Sequence, residues 1–170
     1  IINQQTLARH LVVLDSLEMD VRVARGACMN IWRLKPLLNG KTKMIGYVMV
    51  GTNNLEKAIT FYDEVVQVIN LRRKDTDEFC AGYTQSDSDG TIEFYVTKPA
   101  NGKTATYGNG TQVSFNVSSR AIVDKFHEIG LKAGGSSEGS GGERPEGSGV
   151  YYSYVRDLDG NKICAFTNNK

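Results

Sequence analysis

The feature that most constrains this fold is a pattern that occurs twice: an alternating strand, a polar cap and an amphipathic helix. The first copy joins the strand 45–51, "IGYVMVG", to the helical segment "TNNLEKAITFYDEVVQVI". The second copy joins the strand 111–117 to the helical segment "SSRAIVDKFHEIGLKAGG". A shift of 65 residues superimposes Asn54 on Ser119, so the strand, the cap and the helix all coincide. We interpret this pattern as an internal repeat of two structural modules.

Each helical segment has apolar residues at helical spacing and a polar residue at its start. The apolar face of the first segment consists of Leu55, Ala58, Ile59, Tyr62, Val65, Val66 and Ile69. The corresponding face of the second segment consists of Ile122, Phe126 and Ile129. Asn53 or Asn54 is expected to cap the first helix, with Glu56 three residues after Asn53 as an approximate capping box. Ser118 or Ser119 is expected to cap the second helix. Both helices should pack one face against a sheet.

Further strands are predicted after each helix. We expect them near 70–75, 79–85, 91–97, 150–156 and 162–167. The segment "DLDGN" is expected to be the turn between the last two strands, because Asp and Gly supply the backbone angles of a tight hairpin. The predicted fold class is α+β. Paired βαβββ modules, approximately 44–98 and 109–170, would form a curved mixed sheet (a cup) with the helices on its outer face.

The glycine-rich segment 134–149, "GGSSEGSGGERPEGSG", is predicted to be a loop. A dinucleotide-binding fingerprint has to follow a strand and open a helix, whereas this segment follows a helix and precedes a strand. Two interpretations stay open: a mobile lid beside the mouth of the cup, or a flexible connector. As a lid, the segment would bring Arg144 to an anionic ligand.

The alternation in the strands predicts which side chains face the helices and which face away. The helix-facing set is apolar: Val48, Val50, Ile92, Phe94, Val96, Val113, Phe115, Val117, Ile163 and Ala165. The opposite set mixes aromatic, polar and sulfur-containing side chains: Tyr47, Met49, Glu93, Tyr95, Thr97, Gln112, Ser114, Asn116, Cys164 and Phe166. A solvated face would be richer in Lys, Glu and Thr, so we expect the opposite set to line a ligand pocket. The alternative is a second, partly polar contact surface.

Charge and hydropathy exclude several classes of function. Residues 44–170 carry thirteen basic and sixteen acidic side chains, so no electrostatic attraction to nucleic acid or to an anionic membrane is expected. No segment has the length and hydropathy of a membrane span, and the first stretch does not resemble a signal peptide. Cys28, Cys80 and Cys164 lack the spacing of a metal or redox site. We therefore expect reduced thiols and a cytoplasmic location.

Residues 1–43 are predicted to be a separate N-terminal extension with seven basic and three acidic side chains. The segment "PLLNGKTK" before Met44 has the composition of a linker. Leu7, Leu11 and Leu14 have helical spacing and predict a short helix that packs on the body or on a second subunit. The alternative is that the extension precedes a natural start at Met44.

Residues 44–170 resemble the vicinal oxygen chelate superfamily of glyoxalases, bleomycin-resistance proteins and extradiol dioxygenases. The likeness lies in the ordered set "MIGYVMVGTNNLEKAITFYDEVV", "YGNGTQVSFNV", "FHEIGLKAGG" and "YVRDLDGNKICAF". It is greatest to the small bacterial glyoxalase-family subgroup. The resemblance implies paired βαβββ modules that form a cup, and it implies a homodimer.

In metal-using members of this superfamily, the first and last strands of each module supply the metal ligands, usually His or Glu. The resemblance places Tyr47, Gln112 and Cys164 at three of these positions and Glu93 or Tyr95 at the fourth. Divalent Ni, Zn, Mn and Fe prefer imidazole and carboxylate ligands, or several thiolates. We therefore expect no metal site and no cofactor.

The expected function is the binding of a small aromatic or amphipathic molecule in a metal-free cup. Apolar contacts would come from Tyr47, Met49, Tyr95 and Phe166, and orienting hydrogen bonds from Glu93, Gln112, Ser114 and Asn116. A first alternative is a glyoxalase-like lyase or isomerase in which Glu93 is the general base and Tyr47 or Gln112 polarises a carbonyl. A second alternative is an assembly protein whose N-terminal extension and sheet mediate interactions and whose cup is vestigial.

Overall fold

The described part of the protein folds into two modules, each with one helix and four strands. The structure is a computed structural model that describes residues 45–87 and 90–169. The first module consists of β1 (Val48–Gly51), α1 (Leu55–Gln67), β2 (Leu71–Thr76), β3 (Cys80–Gln85) and β4 (Phe94–Thr97). The second module consists of β5 (Val113–Asn116), α2 (Arg120–Lys132), β6 (Ser136–Glu143), β7 (Tyr151–Arg156) and β8 (Lys162–Thr167). The extension 1–43 and its predicted helix lie outside the described residues.

Each module forms its own four-stranded sheet, and the two sheets have equivalent strand orders. The first sheet has the order β1-β4-β3-β2 and the second has the order β5-β8-β7-β6. One outer pair in each sheet, β1 with β4 and β5 with β8, is parallel, and the other pairs are antiparallel. The α+β fold of paired βαβββ modules is therefore confirmed. The described strands form two mixed sheets and no closed barrel.

Both helices begin at one of the caps that the sequence predicts. The Asn54 side chain accepts a hydrogen bond from the Lys57 backbone N–H, and the Ser119 side chain accepts one from the Ile122 N–H. The predicted capping box of Glu56 with Asn53 is wrong. Asn53 instead bonds to the backbone of Ala105. Among the described residues, neither helix is long and apolar enough to cross a bilayer.

The strands place their apolar side chains toward the helices almost as predicted. One core combines both modules, and its strand residues include Val50, Phe94, Val96, Ile163 and Ala165. The prediction for Ile92 is wrong, because its side chain lies over Gly82 and beside Tyr95, on the opposite face. The physical reason is that β4 begins only at Phe94, so the alternation does not extend back to residue 92.

The prediction that the glycine-rich segment is a loop is wrong for its first half. Residues Ser136–Glu143 form β6, which pairs with β7 and shifts register on both sides of Gly139. Gly139 has a φ of 147°, a backbone angle that side-chain-bearing residues rarely adopt. The ladder needs only backbone groups, so a strand without apolar side chains can form wherever a neighbouring strand offers partners.

The "DLDGN" segment is the predicted turn between β7 and β8, and it also joins the two modules. The buried hydroxyl of Tyr62 donates to Asp157 Oδ2 at 2.7 Å. The Thr52 hydroxyl donates to Asp159 Oδ2 at 2.6 Å, and Asn161 Nδ2 donates to the Gly51 carbonyl at 2.9 Å. Burial raises the pKa of Asp157, and hydrogen bonds from Asn161 and Tyr62 oppose that rise. The turn of the second module therefore holds the start of the first helix.

Candidate functional site

The second sheet has one face against the core and one face away from it, which we name the second open face. Six of the predicted ligand residues belong to this part of the structure: Gln112, Ser114, Asn116, Arg144, Cys164 and Phe166. Ser114 lies opposite Cys164 and Asn116 lies opposite Phe166 in the parallel pair of β5 and β8. Gln112 Nε2 donates to Ser114 Oγ at 2.8 Å. The alternation therefore brings these polar groups beside an aromatic ring.

Two tyrosines on the second open face, Tyr152 and Tyr154, were not predicted as ligand residues from the sequence. The Tyr152 ring stacks on Tyr154, with centroids 6.0 Å apart and planes 7° apart. It also stacks on Phe166, with centroids 5.7 Å apart and planes 20° apart. The alternation in "VYYSYVR" is a signal that could have placed both tyrosines on one face of the strand. Ser153 and Val155, which point to the other face, are fully buried. Three aromatic rings thus form one continuous stack.

Cations surround the Tyr154 end of this stack. The Arg144 guanidinium lies 5.1 Å from the Tyr154 ring centroid, and Lys162 Nζ lies 4.7 Å from it. Arg144 donates to the carbonyl oxygens of Tyr152, Ser140 and Gly142 at 2.9, 2.8 and 3.3 Å. These bonds hold the Arg144 side chain against β6 and β7, so its guanidinium has a defined position on the sheet face. Its predicted role as a ligand contact stays a prediction.

Cys164 lies beneath this face as a fully buried, free thiol. Burial raises its pKa to about 11, against the opposing effects of a Ser114 hydrogen bond and of nearby Lys162 and Arg144. The thiol is therefore protonated near neutral pH, and a ligand would reach it only after neighbouring side chains moved. Cys80 is fully buried as well, and the expectation of reduced thiols stays a prediction.

We expect Cys164 to resist alkylation by iodoacetamide in the folded protein at neutral pH, because both burial and protonation suppress the thiolate. In strong urea, the same residue should be modified within the labelling time. Peptide mass spectrometry of the two samples measures the labelled fraction at Cys164 alone. Rapid labelling of the folded protein would contradict this placement of the thiol.

The corresponding face of the first sheet, the first open face, carries the other predicted residues. Tyr47 and Tyr95 meet edge to face, with centroids 5.4 Å apart. Met49 lies opposite Tyr95 in the pairing of β1 with β4. Tyr47 and Met49 are 47% and 45% exposed, so this face is accessible. Burial raises the pKa of Tyr95, with smaller contributions from Tyr47 and Asp75.

Glu93 stands just before β4 and connects two strands of the first sheet through its backbone. Its N–H donates to the Tyr83 carbonyl, and its own carbonyl accepts from the Val48 N–H. The residue is half-buried. Its predicted role as a general base, with Tyr47 as a catalytic partner, stays a prediction.

The predicted residues therefore fall into two groups on two sheets. A depression of about 140 Å³ lies where the modules meet, and its lining includes Met49, Tyr107, Val113 and Lys162. A shallower one of about 460 Å³ lies beside β2, where its lining includes Asp63 and Arg73. Met49 is the one predicted ligand residue that lines either of these two depressions. A hollow shared by both open faces stays a prediction.

The residues at the family's metal positions do not fit a divalent cation. They are a phenol at Tyr47, a carboxylate or phenol at 93 or 95, an amide at Gln112 and a protonated, buried thiol at Cys164. The thiolate is the form that binds metals, so Cys164 is a poor ligand. Within residues 45–87 and 90–169, no three His, Cys, Asp or Glu side chains cluster as a metal site requires.

The fold and its two open faces define an α+β protein built from paired βαβββ modules. Residues 44–165 match the model of the Glyoxalase/Bleomycin resistance protein/Dioxygenase superfamily, and the chain belongs to this superfamily. The resemblance noted in the sequence is therefore confirmed. No curated protein matches the chain.

Several solved structures are similar to this chain. A glyoxalase/bleomycin resistance protein from Albidiferax ferrireducens is 36% identical, with a TM-score of 0.65, and the match covers 74% of this chain and 98% of that one. A glyoxalase-related enzyme from Fulvimarina pelagi is 19% identical, with a TM-score of 0.58, covering 74% and 88%. Lactoylglutathione lyase from Agrobacterium tumefaciens is 16% identical, with a TM-score of 0.53, covering 76% and 96%. The last two support the fold alone.

Proposed function

We propose that this superfamily member binds a small aromatic or amphipathic molecule on its open strand faces without using a metal. The observation that carries the proposal is the stack of Tyr152, Tyr154 and Phe166 beside the exposed polar groups of Ser114 and Asn116. Ligand sites of this kind combine aromatic surface with a few polar groups that fix orientation. The side chains at the family's metal positions do not suit a divalent cation, which supports a function without a metal.

The two open faces would contribute differently to such a site. The second open face offers the aromatic stack, with hydrogen-bonding groups at Gln112 and Ser114. The first open face offers the exposed side chains of Tyr47 and Met49, with Tyr95 beside them. Aromatic and thioether groups bind apolar ligands of varied shape, so a broad ligand preference is expected.

A melting-temperature screen tests this proposal. Aromatic and amphipathic molecules and Ni²⁺, Zn²⁺ and Mn²⁺ would each be added to the full chain. A ligand present at a hundred times its Kd stabilises the folded state by about 2.7 kcal/mol. Stabilisation by organic ligands supports the proposal. Stoichiometric metal binding that Glu93→Ala abolishes would overturn the metal-free site, and no stabilisation by any organic ligand would favour a vestigial cup.

Glu93→Gln separates ligand binding from the lyase or isomerase alternative. We expect the variant to bind within about twofold of the wild type, because the amide keeps a hydrogen-bonding group of the same size. We also expect neither protein to exchange the hydrogens beside the carbonyl of 2-acetylnaphthalene with D₂O, as followed by NMR. Exchange that is catalysed by the wild type and lost in Glu93→Gln, with binding retained, would favour the lyase or isomerase.

A homodimer belongs to the same proposal. Ile45, Tyr47 and Met49 are all exposed at the start of the first module, and such apolar surface is a feature of subunit contacts. The mass of the full chain in sedimentation tests the dimer, and deletion of 1–43 tests the extension. The cytoplasmic location stays a prediction.

A further inference from the structure

We propose that the second open face prefers planar aromatic ligands that carry a carboxylate. This inference rests on the proposed function and adds the charge of the ligand to it. Its basis is the juxtaposition of the aromatic stack with a local excess of positive charge around Tyr154. The probe class that follows is aromatic carboxylates.

The charge around the stack is positive although residues 44–170 as a whole are acidic. Arg144 and Lys162 lie against the Tyr154 ring, and Arg156 follows two residues later on the same strand. Glu138 is the acidic neighbour of Lys162 and Arg156. Glu138 is shared, because Arg156 Nε lies 2.6 Å and Lys162 Nζ lies 3.5 Å from its carboxylate oxygens. Two of these three cations, Arg156 and Lys162, thus share one acidic partner. A ligand carboxylate would supply a second negative charge.

Arg144 is the cation that most needs such a partner. Within the part of the chain that the structure describes, Arg144 contacts three carbonyl oxygens and the Tyr154 ring, and no carboxylate pairs with it. Carbonyl oxygens position a guanidinium but leave its formal charge intact. The group is therefore held in place before a ligand arrives, which lowers the entropic cost of binding.

β6 has the backbone needed to hold Arg144 in this position. A Cβ on Gly139 would lie 2.9 Å from Arg144 Nη2 and 3.2 Å from the Tyr154 ring. Any larger residue at 139 would require the guanidinium or the Tyr154 ring to shift. The glycine in β6 thus leaves space for Arg144, the cation to which we assign ligand binding.

The stack explains why the ligand should be planar. Tyr152 lies between Tyr154 and Phe166, and the three ring planes are nearly parallel. A flat ligand can extend this stack, because offset-stacked aromatic pairs are favourable beyond the area that they bury. Stacking provides affinity for flat molecules, and the cations provide the preference for an anion.

Three naphthalene probes test the inference on the full chain by fluorescence titration: 2-naphthoate, 2-naphthalenemethanol and 2-naphthylmethylammonium. We expect the wild type to bind the carboxylate about tenfold more tightly than the alcohol, and the ammonium most weakly. Lys162→Gln and Arg144→Gln should each reduce the preference for the carboxylate while binding of the alcohol stays within about twofold. Tyr154→Leu should weaken the carboxylate and the alcohol alike.

Lys125→Gln is the matched control, because it removes one positive charge from α2 at a salt bridge with Glu128. This control should leave the preference for the carboxylate over the alcohol unchanged. If the control lost as much of that preference as the Arg144 and Lys162 variants, net charge alone would explain the effect and the inference would be overturned. Equal binding of the carboxylate and the alcohol to the wild type would overturn the inference while the proposed function stands. Binding of none of the three probes would count against both. Thermal unfolding of each variant verifies that it is folded.

Discussion

Replacing Asp157 with Ala is expected to lower the free energy of unfolding by about 3 kcal/mol. The Asp157 carboxylate accepts hydrogen bonds from the Tyr62 hydroxyl, from the Asp159 N–H and from both nitrogens of Asn161. Its loss would leave the Tyr62 hydroxyl buried without a partner, since that side chain is fully buried. Urea unfolding followed by circular dichroism measures the effect.

The pH dependence of this effect has a definite sign. Burial raises the pKa of Asp157 in the folded protein, so the folded state holds the proton more tightly than the unfolded state does. The contribution of Asp157 to stability therefore grows as the pH falls from neutral through the raised pKa. The difference between the wild type and Asp157→Ala should widen over that range, and a difference that narrows would contradict the placement of this group.

Tyr62→Phe and the double variant Tyr62→Phe/Asp157→Ala isolate the hydrogen bond between Tyr62 and Asp157, which joins the two modules. Tyr62→Phe keeps the ring and removes the hydroxyl, and it should cost about 1 kcal/mol. The double variant should cost less than the sum of the two single variants, because the two side chains are partners. Asp75→Ala, at an exposed position of β2, is the control and should change stability by about 0.5 kcal/mol or less.

The contact between Tyr62 and Asp157 shows why only part of the structure could be predicted from the sequence. The alternation of Ser114 with Phe115 and the cap at Asn54 depend on near neighbours, and both were predicted correctly. Asp157 was predicted only as part of the turn "DLDGN", because Asp and Gly supply the backbone angles of a tight hairpin. Its bond to Tyr62 spans 95 positions in the chain, and no local pattern records such a partner.

The errors and omissions of prediction on the second open face have a related cause. β6 lacks the apolar side chains that mark a strand, and it forms because β7 offers backbone partners to five of its residues. Arg144 lies in the loop directly after β6, as expected, but the pairing of β6 with β7 brings it over Tyr154. Tyr152 and Tyr154 could have been assigned from alternation alone. What alternation does not give is the distance between rings, which depends on strand register.

Replacing Phe94 with Ala is expected to destabilise the protein by about 3–5 kcal/mol. The side chain is 1% exposed, and its ring lies 5.2 Å from Tyr62, 6.0 Å from Tyr83 and 5.4 Å from Phe115. Removing a ring from this position leaves a cavity that its aromatic neighbours fill only partly. Phe79→Ala, at a position that is 39% exposed, is the control and should cost less than about 1 kcal/mol.

Phe94 also tests whether the two modules unfold together. It belongs to β4 in the first module, whereas its neighbour Phe115 belongs to β5 in the second, and both are part of one apolar core. If this core couples the modules, hydrogen exchange in Phe94→Ala should accelerate by similar factors in β4 and β8. Faster exchange confined to the first module would show that the second is stable by itself. The Tyr62–Asp157 bond would then join two independently stable units rather than complete one cooperative core.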